Sequence, residues 1–164
     1  DAFEPLPMSD SSDAFRILSI APTRQGLLAG TPNGFRLWNG TGWIRPPTLG
    51  HAKNRMVLKI AVEPGNARIA WFDGSLLRVD TLPGAHGSTG AWTPPKGTLS
   101  DFGWDRDGRL HIAHVAWTTW RPDDGLSKTW TLPVNAEIVL PGAPWTFVGG
   151  TTGGIEARTS AWAP

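Results

Sequence analysis

Four segments of this chain repeat one order of strand, turn and tryptophan at a spacing of about 40 residues, and no other feature narrows the fold as much. The segments cover 15–53, 54–95, 96–133 and 134–164. In each, an apolar strand such as Val57–Val62 or Ala136–Leu140 is followed by a Gly, Pro or Asp turn. A second strand ends in small residues, a third carries an arginine, and a Trp-then-Pro stretch closes the segment. The closing tryptophans are Trp43, Trp92, Trp130 and Trp162, and the third-strand arginines are Arg36, Arg78, Arg121 and Arg158.

Twenty glycines and 15 prolines punctuate the 164 residues, and no stretch keeps a helical period over 12 residues. The chain therefore reads as all-β. Four short strands per segment are the signature of a β-propeller of about four blades, either a closed small ring or part of a larger one. Residues 15–164 are expected to form a single propeller-like domain. Residues 1–14 stand apart, holding Asp1, Glu4, Asp10 and Asp13 with no base, while the remainder carries 10 acids against 15 bases. Pro5, Pro7 and the run Ser9–Asp13 argue against a helix or strand, so this stretch reads as an extended acidic arm. One role open to it is a tether that docks on a partner or on the chain's own basic body.

Leu27–Arg36 followed by Gly42 and Trp43, Val148–Ile155 running on to Trp162, and Asp105–Ala113 with Asp123–Trp130 together resemble the Asp-box repeat of bacterial-neuraminidase-type propellers. That family includes sialidases, sortilin-like receptors, photosystem-assembly-factor propellers and sensor propellers, and the chain is most similar in style to its non-catalytic members. The resemblance spans about 15–164 and implies a propeller. It departs from the pattern in two ways. The box aspartate is legible only near Asp123, with Asn39 near that place in the first segment, and most relatives have six or more blades where this chain has four repeats.

The sialidase mechanism uses a tyrosine nucleophile, and this chain has no tyrosine. It also has no cysteine, which excludes disulfides, cysteine nucleophiles and iron–sulfur ligation. His111 and His114, three apart on one strand, point to opposite faces and make poor joint metal ligands. His51 and His86 lie in Gly-rich loops. Asp105–Gly108 and Asp123–Gly125 read as Asp-Gly turns rather than calcium loops. No metal, cofactor or catalytic residue is assigned, and an enzyme would need a carboxylate pair among Asp73, Asp101 and Asp123.

The candidate binding residues are Arg36, Trp38, Arg78, Trp117, Trp120, Arg121 and Arg158. Four arginines at one position per blade would offer forks to an acidic partner. Trp117 and Trp120 face opposite ways if they share a strand, leaving one exposed for an interface or a sugar. The expected function is a non-catalytic, protein-binding propeller acting as an assembly or structural subunit. The alternative is a carbohydrate-binding propeller with a glycan partner, and a hydrolase is the remote third. A net charge of +1 gives no case for nucleic acid. No apolar run is long enough to span a membrane, which leaves peripheral contact only. A chain beginning at Asp1 rather than Met is expected to be a processed, exported protein, periplasmic or extracellular.

Overall fold

A computed structural model describes residues 16–65, 67–82, 89–94, 99–125 and 127–130, together with the strand backbones of 136–140, 145–150 and 155–159; from Trp130 onward only the backbone is described. The acidic arm, His86 and Trp162 lie outside these residues. Among the described residues every regular element is a strand except one short 3-10 segment, Pro47–Ala52. The first sheet holds β1 (Ser19–Thr23), β2 (Gly26–Thr31), β3 (Gly34–Trp38) and β4 (Trp43–Ile44). The second holds β5 (Lys59–Val62), β6 (Arg68–Phe72), β7 (Leu77–Thr81) and β8 (Gly90–Trp92). The third holds β9 (Asp101–Trp104), β10 (Leu110–Ala113), β11 (Trp117–Trp120) and β12 (Ser127–Trp130), and the fourth β13 (Ala136–Leu140), β14 (Trp145–Gly150) and β15 (Ile155–Thr159). In every sheet the spatial order of strands is their order along the chain, and each strand whose register is described runs antiparallel to its neighbour. Such meanders are the units from which propeller blades are made. The chain divides into two compact units, residues 1–60 and 61–164.

Side chains close the turns. In the first sheet Thr23 donates its hydroxyl to the Gly26 carbonyl (2.9 Å) and accepts from the Gln25 amide (3.2 Å). Thr31 does the same with Gly34 (2.8 Å) and Asn33 (3.1 Å). Both turns end on a glycine at positive φ, 133° at Gly26 and 101° at Gly34, conformations that L side chains avoid. A Cβ at Gly26 would also sit 1.8 Å from the Trp38 carbonyl oxygen, and one at Gly34 would sit 2.8 Å from that of Ala52. The second contact brings the 3-10 segment against the β2–β3 hairpin. Elsewhere a carboxylate or amide takes the threonine's part. Asn39 Oδ1 accepts from the Thr41 amide and hydroxyl and the Gly42 amide at 2.9–3.1 Å. Asp73 Oδ1 accepts from Ser75 and Leu76 at 2.7–2.9 Å, and Asp105 Oδ1 from the Asp107 and Arg109 amides at 2.9 Å. Asx and Ser/Thr residues favour turns for this reason.

In the second unit the core lies between the second and third sheets. Leu110, Ile112, Phe102, Trp104 and Trp120 share one face of the third sheet by register and pack with Ala70, Phe72, Leu77 and Val79. The opposite face carries Asp101, His111, Ala113, Trp117 and Thr119, and β13 lies against β9 and β10. In the first unit Leu28, Phe35, Leu49 and Val57 are the buried apolar centre, Val57 held by its amide to the Thr31 carbonyl (2.9 Å). Burying side chains of this size contributes about 1.5–3 kcal/mol each.

Candidate functional site

The chemistry-bearing groups of the third sheet are sealed inside it. His111 is 1% exposed and His114 2%. His111 ends β10's polar face, with Nε2 2.9 Å from Asp105 Oδ2 and its ring stacked on Trp117 at 5.7 Å and 18°. Burial pushes the Asp105 carboxyl up, but the His111 hydrogen bond and the Arg109 and Asp107 amides outweigh it and hold the group below its ordinary value. His114 lies beyond the strand, in the hairpin. Its Nε2 is 2.8 Å from Thr118 Oγ1, which is 2.8 Å from Thr129 Oγ1, and Trp92 tilts against the ring at 5.6 Å. Burial alone lowers the His114 pKa, so the folded state favours neutral imidazole. The two histidines have separate partners. Among the described residues no group of three or more His, Cys, Asp or Glu is placed to hold a metal.

Arg68 is the largest polar feature that sequence reading did not single out. It is 5% exposed. Its guanidinium donates to both Glu63 oxygens (2.6 and 3.1 Å), to Asp123 Oδ1 (2.8 Å) and to the Gly108 carbonyl (3.3 Å), and lies 4.9 Å over the Trp104 ring. Glu63 and Arg68 bracket the β5–β6 turn, where the Glu63 amide bonds the Arg68 carbonyl at 3.0 Å. Opposite charges flanking Pro64-Gly65 were the available signal. Asp123 and Gly108 belong to hairpin loops of the third sheet, so this one side chain ties the second sheet to the third.

The candidate binding residues do not form one site. Arg36 is 6% exposed. Trp38 is half-buried and packs on Trp43 at 5.7 Å. Arg78 donates to Asp73 Oδ2 (3.3 Å) and lies 5.6 Å over Trp71, whose indole donates to Asp80 (2.6 Å). Burial raises the Asp73 pKa, but bonds from Leu76, Ser75 and Arg78 prevail and hold it at about 2. Arg121 pairs with Asp124 at 3.1 Å on the surface, a contact worth at most about 1 kcal/mol. The Arg158 side chain lies outside the described residues; its backbone pairs with Thr146.

Two expectations need correction. Counted from the hairpin turn, Arg36 is the third pair of its ladder, Arg78 the second and Arg158 the fourth, while Arg121 follows the last residue of β11. They do not share one position per blade, because the hairpins differ in loop length and register. The exposed member expected of Trp117 and Trp120 does not exist either: they are 2% and 5% exposed. They do face opposite ways, but both faces of β11 are covered. Of the carboxylates considered for catalysis, Asp73 caps its own turn and Asp123 pairs with Arg68, so the two are spent on separate partners.

What is exposed lies elsewhere. Residues 16–60 carry seven bases, Arg16, Arg24, Arg36, Arg45, Lys53, Arg55 and Lys59, and no Asp or Glu. The same stretch presents Ile17, Ile20, Ile44, Met56 and Leu58 at 38–50% exposure. A shallow recess of about 60 Å³ is lined by Asn33, Phe35, Arg45, Pro46, Leu49, Gly50 and Lys53. It has room for part of one apolar side chain and is far below the roughly 300–1,000 Å³ of small-molecule sites. Among the described residues no helix is long and apolar enough to cross a membrane.

Successive antiparallel meander sheets are the building units of a propeller, and comparison with solved structures agrees. The chain superposes on the WD40 repeats of RRP9 with a TM-score of 0.61 at 15% identity, covering 84% of this chain and 46% of that one. It superposes on U3-55K with a TM-score of 0.64, again at 15% identity, covering 88% and 49%. The fold is a β-propeller fold, and the chain spans about half the length of the structures it matches. No family model and no curated protein matches the sequence.

Proposed function

We propose that the chain is a non-catalytic, protein-binding propeller module that serves as a subunit of a larger assembly. The observation that carries this reading is the surface of residues 16–60, where exposed Ile17, Ile20, Ile44, Met56 and Leu58 stand among cations with no carboxylate in the stretch. Apolar residues interspersed with arginine are the composition of protein interfaces. The internal use of Asp105, His111 and His114 in turn and core contacts supports leaving catalysis out. Superposition on WD40 repeats supports a scaffold that displays recognition on loops and strand edges. Kinship with Asp-box propellers is proposed on the support of Asn39, whose three hydrogen bonds hold the β3–β4 turn. The test is native mass spectrometry of the protein taken from its source. A stoichiometric protein partner is expected, and a chain that runs alone would end the reading.

A further inference from the structure

Residues 16–60 contain seven bases and no acid, whereas residues 1–14 contain four acids, Asp1, Glu4, Asp10 and Asp13, and no base. All the acidic residues of 1–60 therefore fall within the first 14. These also carry Phe3, Leu6 and Met8 at intervals of two or three, so apolar and acidic side chains are interleaved.

The chain enters the first sheet beside the recess. The Leu18 amide donates to the Gly30 carbonyl (2.9 Å), and Gly30 is the register partner of Phe35, which lines the recess. Two strand spacings, about 10 Å, separate the point of entry from that floor. Fourteen residues can extend about 50 Å, so reach is not limiting. Arg16, Arg45, Lys53 and Arg55 are all exposed, and exposed Ile17 and Met56 adjoin Leu18 and Val57, whose amides bond the Gly30 and Thr31 carbonyls. Arg45 and Lys53 line the recess and have no ion-pair partner among the described residues.

We propose that the recess beside the 3-10 segment is the docking site of this chain's own residues 1–14. One apolar residue of the arm enters against Phe35 and Leu49, and its carboxylates face Arg16, Arg45 and Lys53. Charge complementarity between the two stretches names the occupant, and the point where the chain enters the first sheet says where it can reach. The inference does not rest on the protein-binding reading: the arm docks whether or not a partner binds elsewhere.

The test uses the full chain with a spin label at Gly50→Cys. The protein has no cysteine of its own, and a Cβ at Gly50 meets nothing within 4 Å. At low salt the amide signals of residues 1–14 are expected to lose intensity. They are expected to recover in 1 M NaCl, where the screening length falls to about 3 Å, and in the double variant Arg45→Glu/Lys53→Glu. Full intensity at low salt would overturn the proposal. So would loss seen only when isotope-labelled and spin-labelled chains are mixed, which assigns the recess to a second copy's arm. Binding of a single-stranded oligonucleotide that leaves the arm signals unchanged would also overturn it, giving the cations to nucleic acid.

Discussion

The two compact units use charge in opposite ways. In 61–164 eight bases meet ten acids, and Arg68, Arg78, Arg109 and Arg121 each face a carboxylate within 4 Å. Arg68 is the extreme case, with four hydrogen bonds to Glu63, Asp123 and Gly108 and an aromatic ring beneath it. The stretch 16–60 holds seven bases and no Asp or Glu of its own, and five of those bases are exposed. Similar antiparallel meanders thus carry two electrostatic designs. One holds sheets together, and the other leaves a field on the surface. Charge changes should therefore cost stability in the second unit and alter binding and salt dependence in the first.

The largest effect should come from Arg68→Met. It strands Glu63, whose side chain is 12% exposed, and removes the tie to Asp123 and Gly108. Loss of about 3–5 kcal/mol in urea unfolding is expected, as for other broken buried pairs. A change below about 1 kcal/mol would show that the tie is dispensable. Next is Asp73→Ala, which opens the β6–β7 turn and frees Arg78, for about 1–2 kcal/mol. Because the folded Asp73 pKa is about 2, below its ordinary 3.8, its contribution is whole above pH 3.8 and fades as pH falls towards 2. The wild-type and Ala denaturation midpoints should converge across that window.

A smaller effect is expected at His114. Its folded pKa lies below 6.5, so the unfolded chain takes up the proton first and stability falls as pH drops below 6.5. His114→Gln should flatten that slope between pH 7 and 5; an unchanged slope would place the titrating group elsewhere. The smallest stability change belongs to Arg45→Glu/Lys53→Glu, within about 0.5 kcal/mol, since both side chains are exposed. If that double variant unfolded as readily as Arg68→Met, the contrast between the units would collapse.

The architecture was legible because its causes are local. Turn formers such as Thr31-Pro-Asn-Gly34 and Asp105-Arg-Asp-Gly108 sit between short apolar runs, and each clamps its own hairpin through a side chain at 2.8–2.9 Å. The closing tryptophans Trp43, Trp92 and Trp130 fall on fourth strands for the same reason of local order. Reading His111 and His114 as separate, and Asp105 as a turn residue, rested on the same local logic and agrees with their contacts, but only His111 is a strand residue: β10 ends at Ala113 and His114 falls in the hairpin. The candidate site was not legible, because it depends on burial and register across strands. Sequence spacing put Arg36, Arg78, Arg121 and Arg158 at one place, but a one-residue change in loop length moves a side chain to another rung and another face. Alternation correctly turned Trp117 and Trp120 apart, yet could not report that neighbours cover both faces. Arg68 was overlooked because its second carboxylate, Asp123, lies 55 residues away.

The plain strand order of the sheets has a consequence for how the chain is made. Among the described strands each ladder joins neighbours in sequence, so little entropy is lost in bringing partners together. Links between neighbours in sequence let the first meander pair once Thr23, Thr31 and Asn39 have closed their turns. Synthesis from the N-terminus therefore delivers residues 16–60 as an early-paired piece, while Arg68 must wait for Asp123 before its tie can close.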